Sequence, residues 1–150
     1  MVQLDGVGSG KGRLLAIGAT NRPYDLDEAA LRRMTKRIYI GLPDAESRLG
    51  QMMHMLQRVD YSISEKEMGW LIDLSHGYSS ADLSAVVKEA AMAPLRDLPP
   101  GKSILDIQKS DLRKVLFSDF QAAFSVMKPS VSPENIQSFT DWHDKIQNIK

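Results

Sequence analysis

An amide and a pair of arginines are the side chains best suited to chemistry in this sequence. Asn21 follows an apolar run that begins at Leu14, and Arg32 and Arg33 end what the pattern predicts to be a short helix. Arginine carries a permanent charge and a planar fork of donors that suit phosphate oxygens. Taken alone, Asn21 is more typical of a turn, and the arginines of a solvated helix end.

A glycine-rich segment before the apolar run contains Lys11 and invites comparison with a phosphate-binding loop. Such a loop requires two glycines at fixed spacing before Lys-Ser/Thr, and a helix must follow it. Lys11 is instead followed by Gly12 and then by the apolar run. We therefore predict that residues 6–12 form a plain surface loop.

The composition fits one globular domain and excludes several classes of function. The chain has 150 residues, 43% of them hydrophobic and 25% charged, and 19 basic residues balance 19 acidic ones. This balance gives no argument for nucleic acid or an anionic membrane as a partner. Cysteine is absent, the three histidines are far apart in the sequence, and no apolar run approaches the roughly 20 residues of a membrane span. We expect no metal site, no membrane span and an intracellular location.

The chain has two halves with different patterns. Residues 14–17 and 38–40 are apolar on both faces, which favours inner strands of a parallel α/β sheet. Two such strands cannot form a stable sheet alone, because parallel sheets are larger and are covered by helices. We therefore expect further strands upstream of Met1. After Pro43, apolar residues recur at helical spacing: Leu49, Met52, Met53 and Leu56; Leu83, Val86, Val87 and Ala90; Phe120, Ala123, Phe124 and Met127.

Capping signals predict where the helices begin. A hydroxyl followed three residues later by an acidic or amide side chain can satisfy the orphan N–H groups of a helix start. This spacing occurs at Ser64 and Glu67, at Ser79 and Asp82, and at Ser118 and Gln121. Ser132-Pro133 predicts the start of the last helix, in which we expect Phe139 and Trp142 to supply the docking surface.

An ordered set of these motifs resembles the second half of an AAA ATPase module. The set consists of Ala-Thr-Asn-Arg-Pro after the first apolar run, Leu-Asp-Glu-Ala-Ala-Leu-Arg-Arg, Leu-Pro-Asp, and Gly-Tyr-Ser-Ser-Ala-Asp. Lys-Arg-Ile-Tyr-Ile and the C-terminal Ser-Val-Ser-Pro followed by Trp142 are similar to the group that holds spastin, katanin and fidgetin-like proteins. Ser118-Asp119-Phe120 is most similar to its spastin and fidgetin-like members.

The resemblance implies roles for five residues. Asn21 matches sensor 1, which orients the water that attacks the γ-phosphate, and Arg32 and Arg33 match arginine fingers that reach the nucleotide of a neighbouring subunit. Gly77 and Ser79 match a turn near adenine and ribose, where backbone atoms contact the nucleotide. ATP and Mg²⁺ are the cofactors that the resemblance implies for the full-length protein; we expect none to bind tightly to this chain.

The resemblance also implies the architecture. The fold class is α/β followed by all-α: a C-terminal remnant of the parallel-sheet AAA large subdomain, then a helical-bundle lid and a C-terminal helix. The corresponding ranges are 1–42, 43–128 and 129–150. Ala81 occupies the position where many AAA proteins outside this group carry a sensor 2 arginine, and we interpret His54 and His76 as surface residues.

Absent motifs shape the functional hypothesis. Neither the Walker A motif nor the acidic Walker B cluster occurs in the sequence, and ATP hydrolysis needs a phosphate cradle and a metal site. We therefore expect the chain to be part of a longer, hexameric ATPase that acts on tubulin and microtubules at the cytoskeleton, in the cytoplasm or nucleus, and to be inactive alone. The alternatives are a non-catalytic module that docks into hexamers of full-length relatives, and a helical adaptor unrelated to ATPases.

Overall fold

A computed structural model describes residues 15–99 and 107–147 of the chain. The glycine-rich segment with Lys11 and most of the connector after Pro99 lie outside the described residues. The chain forms two compact units: unit 1 comprises Met1–Ile40 and Glu134–Lys150, and unit 2 comprises Gly41–Pro133. The helices are α1 (Glu28–Arg33), α2 (Ala45–Leu56), α3 (Glu65–Leu74), α4 (Ser80–Arg96), α5 (Phe117–Val126) and α6 (Pro133–Gln147), and the strands are β1 (Tyr61–Ser62) and β2 (Val115–Leu116).

The apolar runs of unit 1 are extended but do not form strands. No strand occurs among residues 15–40, and Leu15, Ile17, Ile38 and Ile40 are all at least 77% exposed. The prediction of inner strands is therefore wrong for this chain. The reason is the one expected above, that two parallel strands cannot form a stable sheet alone. A parallel strand is stable only between neighbours and beneath helices, and the described residues of unit 1 supply no such neighbours.

Unit 1 contains the predicted short helix and the predicted last helix. The Asp27 carboxylate accepts a hydrogen bond of 2.6 Å from the Ala30 N–H and so caps α1, and Ala30 is buried. Two rings from α6 pack on earlier parts of unit 1. Phe139 stacks on Tyr24, in the 3₁₀ turn Pro23–Asp25, at 5.9 Å between ring centroids, and His143 lies 5.5 Å from Tyr39 in the extended segment before α2. Phe139 thus serves as predicted, and Trp142 is half-buried.

Unit 2 is a helical bundle with a closed core. Helices α2, α3, α4 and α5 all contribute to it, and the largest fully buried side chains are Phe120, Met52, Leu56, Leu71, Leu83 and Val86. The three predicted helical repeats are confirmed. In α2, however, the buried face is Arg48, Met52 and Leu56, while Leu49 and Met53 are exposed. The buried face of α2 therefore differs from the predicted one: Met52 and Leu56 belong to both, but Arg48 is buried in place of Leu49 and Met53.

A short parallel ladder joins β1 to β2 within unit 2. Tyr61 lies opposite Val115 and Ser62 opposite Leu116, and the Val115 N–H donates to the Asp60 carbonyl at 2.9 Å. The sequence predicted only helices here, because two-residue strands are too short to show the alternation that marks a strand.

Two of the three predicted capping boxes are present, at Ser64 and at Ser79. In the first, the Ser64 N–H donates to Glu67 at 2.8 Å and the Glu67 N–H donates to the Ser64 hydroxyl at 3.3 Å. The box predicted at Ser118 and Gln121 is wrong. Helix α5 begins at Phe117, and Asp119 accepts from the Leu116 N–H at 2.8 Å. Among the described residues, no helix is both long enough and apolar enough to cross a membrane.

Candidate functional site

Asn21 lies on an exposed bend that its neighbours hold in shape. The Arg22 N–H donates to the Thr20 hydroxyl at 3.0 Å, and the Arg22 side chain forms an ion pair with Asp25 at 2.7 Å. Pro23 is buried at the start of the following 3₁₀ turn. The bend is thus fixed by residues on both sides of Asn21, while its own amide is exposed.

The two candidate finger residues end α1 with different exposure. Arg32 is exposed and Arg33 is half-buried, as expected for consecutive residues that are about 100° apart around a helix. The Arg37 guanidinium donates to the Leu31 carbonyl and so ties the next segment to the end of α1. Arg32, Arg33 and Asn21 all belong to unit 1, and their proposed roles stay predictions.

Gly77 provides the turn between α3 and α4 in unit 2. Its φ of +81° lies in the left-handed region, where a side chain is strained. Hydrogen bonds on either side shape the turn: the His76 N–H donates to the Asp73 carbonyl at 3.2 Å and the Tyr78 N–H donates to the Ser75 carbonyl at 3.1 Å. A Cβ atom at Gly77 would meet no other atom within 4 Å. The glycine is therefore required by its backbone conformation and not by a lack of space.

Ser79 caps α4 and is fully used in doing so. Its N–H and hydroxyl both donate to the Asp82 carboxylate, at 2.9 and 2.8 Å, and the Asp82 N–H returns a bond of 3.2 Å to the hydroxyl. The Ser79 carbonyl accepts from the Leu83 N–H at 3.0 Å. The predicted capping box is thus confirmed, and the backbone groups of Ser79 are paired within the helix.

The same turn is fastened to the segment that follows α5. The Tyr78 hydroxyl donates to the Met127 carbonyl at 2.8 Å, and the Ser130 N–H donates to Asp82 at 3.3 Å. Burial raises the pKa of Asp82, but the hydrogen bonds from Ser79 and Ser130 outweigh it, so the pKa lies below its ordinary value. Burial, followed by the charge of Asp82, raises the pKa of Tyr78.

An open groove of about 550 Å³ lies between α2 and the start of α4. Although most of the lining residues are small or polar, the surface that they present to the groove is mostly apolar: Ser47, Gly50, Gln51, His54, Met55 and Ser80. His54 is exposed, as is His76, which agrees with their interpretation as surface residues. The Gln51 side-chain oxygen is buried and has no hydrogen-bond partner among the described residues. Ser80, which lines the groove, comes directly after Ser79 in the chain, so the groove lies beside the turn at Gly77.

Two arginines that sequence reasoning missed organise unit 2. Arg113 pairs with Asp119 at 2.7 Å and with Asp97 at 2.6 Å, and its hydrogen bonds lower the pKa of Asp119 more than burial raises it. Arg48 is buried on the core face of α2. A signal for Arg48 was available, since it lies four residues before Met52 and eight before Leu56. Among the described residues, no cluster of histidine, aspartate and glutamate side chains is suited to hold a metal ion.

Two family models match separate parts of the chain. The model for "ATPase family associated with various cellular activities (AAA)" matches residues 1–42, and the model for the "AAA+ lid domain" matches residues 67–114. The first match includes Asn21, Arg32 and Arg33, and the second includes Gly77 and Ser79.

Relatives and solved structures match nearly the whole chain. Spastin from Xenopus tropicalis is 40% identical over 144 residues, which are 95% of this chain and 24% of that protein. Spastin from Dictyostelium discoideum is 41% identical over 150 residues, which are 99% of this chain and 23% of that protein. The chain thus spans about a quarter of the length of these relatives. The crystal structure of the FIGL-1 AAA domain in complex with ADP is 42% identical, with a TM-score of 0.86 over 96% of this chain and 49% of that one. A solved katanin structure that concerns self-assembly is 30% identical, with a TM-score of 0.69 over 81% of this chain and 44% of that one.

Proposed function

The chain belongs to the AAA ATPases of the spastin, fidgetin-like and katanin group and corresponds to the C-terminal part of their AAA module; from this premise we propose that the whole protein couples ATP hydrolysis to the remodelling or severing of microtubules. This chain contributes sensor 1, the arginine fingers that act on a neighbouring subunit, and the lid. Walker A and Walker B sequences do not occur in it, so the isolated chain is inactive. The protein acts inside the cell, at the cytoskeleton.

The observation that carries the proposal is the exposure of Asn21 and Arg32 on firmly built local structure. Helix α1 is capped by Asp27 and anchored by the buried Ala30, yet Arg32 at its end is exposed. A finger must be held by its own subunit while its guanidinium reaches another. The helix dipole alone also favours an exposed arginine at a helix end, so the finger role rests on this exposure together with the family motif that contains Arg32.

The chemistry assigned to these residues follows from phosphoryl transfer. Negative charge spreads over the γ-phosphate oxygens in the transition state, and a positioned arginine from a partner accelerates hydrolysis about 10³- to 10⁵-fold. Guanidinium suits this role because it is permanently charged and donates in a planar fork. The neutral amide of Asn21 holds the attacking water without adding negative charge beside the phosphate.

On the lid, the contact with nucleotide falls mainly to Gly77. The backbone groups of Ser79 are paired with Asp82 and Leu83, whereas Gly77 takes no part in these bonds. Ser79 therefore acts by capping α4, and the groove beside Ser80 receives the adenosine part of the nucleotide. A solved relative, the FIGL-1 AAA domain, binds ADP. Mg²⁺ accompanies ATP in the full-length protein, as in other ATPases of this kind.

Fingers that act in trans require that subunits assemble, and the proposed assembly is the homo-oligomeric, hexameric ring that the family resemblance implies. The similarity to the katanin structure that concerns self-assembly supports this proposal. The test is to titrate the purified chain into the FIGL-1 AAA domain and to measure ATP hydrolysis. A change in rate that saturates with added chain supports assembly into the ring. An unchanged rate at an excess of chain contradicts it.

A second candidate function is a non-catalytic module that docks into hexamers of full-length relatives. The exposed apolar side chains of residues 15–17 and 38–40 favour it, because such extended segments can pair with strands of another chain. The two candidates differ in their effect on the titration. A module that only docks lowers the ATPase rate in proportion to its incorporation, and changing Arg32 does not alter that effect.

A further inference from the structure

A buried cation in unit 2 bonds only to neutral oxygens. Arg48 is 7% exposed, and its Nε donates to the Ser75 hydroxyl at 3.0 Å. One terminal nitrogen donates to the Pro43 carbonyl at 3.0 Å and the other to the Ile72 carbonyl at 3.1 Å. The guanidinium thus donates three hydrogen bonds to two segments: the end of α3, at Ile72 and Ser75, and the segment before α2, at Pro43.

A buried guanidinium lowers the stability of the fold unless hydrogen bonds or opposite charges compensate for its lost hydration. Burial of a charge is unfavourable unless it is paired and hydrogen-bonded, and none of the three acceptors of Arg48 is a carboxylate. The last turn of α3 compensates part of the charge, because a cation complements the helix dipole at the Ile72 carbonyl. The Asp44 carboxylate is a second source: its pKa is lowered first by hydrogen bonds with Ser47 and also by the charge of Arg48. The Ser75 hydroxyl in turn donates to the same Ile72 carbonyl at 2.8 Å.

The bonds of Arg48 lead directly to the candidate nucleotide turn. Ser75 is the residue whose carbonyl accepts from the Tyr78 N–H and so closes the turn around Gly77. Pro43 is the third residue of unit 2, immediately after the chain leaves unit 1. Arg48 therefore fixes Ser75 from its side-chain end, while the Tyr78 hydroxyl fixes the other end of the turn to Met127.

We propose that Arg48 is a positioning residue that holds the Ser75–Ser79 turn in the shape that presents Gly77 to the nucleotide, and that ties this turn to the entry of unit 2 at Pro43. This inference rests on the proposed nucleotide contact of Gly77. Lysine cannot replace Arg48, since its single ammonium group cannot match the divergent planar donors of a guanidinium. The role is thus specific to arginine and is more than the filling of a core position.

The test compares Arg48→Lys with Phe120→Leu in the 150-residue chain. Phe120 is fully buried in α5 and takes no part in the hydrogen bonds described above for the turn, so its replacement weakens the packing of the unit while it leaves those bonds in place. Amide hydrogen exchange is measured by NMR at Tyr78 and, as a reference for opening of the whole unit, at Phe124. We expect Arg48→Lys to raise exchange at Tyr78 at least about tenfold relative to Phe124. Phe120→Leu should raise both equally. Equal increases in Arg48→Lys would overturn the inference.

Ser75→Ala provides a second variant if Arg48→Lys does not fold. It removes the acceptor of the Arg48 Nε bond and leaves the guanidinium in place, so it should raise exchange at Tyr78 relative to Phe124 by a smaller factor. No relative change in this variant would also count against the role of Arg48.

Titration with ADP separates failure of this inference from failure of the proposed function. If millimolar ADP shifts the Gly77 amide signal of the wild-type chain, Arg48→Lys should weaken the apparent affinity several-fold and Phe120→Leu should leave it within twofold. A wild-type chain whose Gly77 signal does not respond to ADP contradicts the proposed contact. The exchange measurement still decides whether Arg48 positions the turn.

Discussion

Unit 2 closes its core with its own residues, whereas unit 1 leaves its most apolar segments exposed. Phe120 and Leu71 are completely buried among side chains of unit 2, while Ile17 and Ile40 of unit 1 are more than four-fifths exposed. Both regions have the apolar sequences of a folded interior. Helices can close a core through neighbours that are near in the sequence, but a parallel strand needs partners that come from elsewhere. Unit 2 therefore forms its core from its own residues, whereas unit 1 needs further chain segments to cover its apolar side chains.

The largest expected difference between the units is in the effect of removing apolar side chains. Leu71→Ala in unit 2 should lower the free energy of unfolding by about 2–5 kcal/mol, because it leaves a cavity in a closed core. Ile17→Ser in unit 1 should change it by less than about 0.5 kcal/mol, since that side chain is already exposed. Urea denaturation followed by circular dichroism gives both values. Comparable losses in the two variants would refute the contrast.

The ion-pair cluster at the start of α5 should matter next most. Asp119 accepts from Arg113 and from the Leu116 N–H, so Asp119→Ala should lower the stability of unit 2 by about 1–3 kcal/mol. The folded-state pKa of Asp119 is lowered, first by its hydrogen bonds with Arg113. Its contribution is therefore complete above the unfolded pKa of about 4 and is lost as pH falls through the folded pKa.

The pH dependence supplies the control for this prediction. Stability of the wild-type chain and of Asp119→Ala should differ most at neutral pH and converge below about pH 4. A difference between the two that stays constant down to pH 2 would mean that the carboxylate charge is not what stabilises the junction.

Alanine substitutions at two glycines of unit 2 should change its stability in opposite directions. Gly77→Ala places a side chain at a φ of +81°, which should cost about 1–2 kcal/mol. Gly69→Ala lies inside α3, where no atom is within 4 Å of the added carbon, and should stabilise by about 0.5–1 kcal/mol. Thermal unfolding of the two variants should move in opposite directions. A melting temperature of Gly77→Ala that is unchanged or raised would show that the turn does not require its left-handed backbone.

The smallest of these effects is expected at the helix caps. Ser64→Ala and Ser79→Ala each remove one capping hydroxyl and should each cost about 1 kcal/mol. Only Ser79→Ala should also raise exchange of the Ser130 amide, because Asp82 bonds to both residues. Identical exchange at Ser130 in the two variants would argue against that link.

The sequence predicted those features that depend on neighbours along the chain. The boxes at Ser64 and Ser79 and the helical repeats of unit 2 are local, and the structure has them. The start of α5 was placed wrongly because its N-cap residue, Leu116, has no capping oxygen in its side chain; the Asp119 carboxylate inside the helix accepts the Leu116 N–H instead. Ile17 was assigned to a strand from its apolar context, but strand formation depends on partners that a local pattern does not specify.

The candidate site divides in the same way. Asn21, Arg32, Arg33, Gly77 and Ser79 could be picked out because they occur in an ordered set of family motifs. The role of Arg48 could not be predicted from the sequence, since its acceptors at Ile72 and Ser75 lie 24 and 27 residues away along the chain. Its position on the apolar face of α2 marked it as unusual, but only the fold shows which turn it holds.

Arg32 and Arg33 are proposed to act on nucleotide bound by another subunit. The most direct measurement uses a FIGL-1 AAA domain whose own finger arginines are changed to alanine, and follows its ATP hydrolysis as this chain is added. Wild-type chain should raise hydrolysis at least about tenfold, out of the roughly 10³-fold or larger effect of a finger, and the doubly substituted Arg32→Ala, Arg33→Ala chain should not. Equal restoration by both chains, or restoration by neither when both assemble with the domain, would contradict the account.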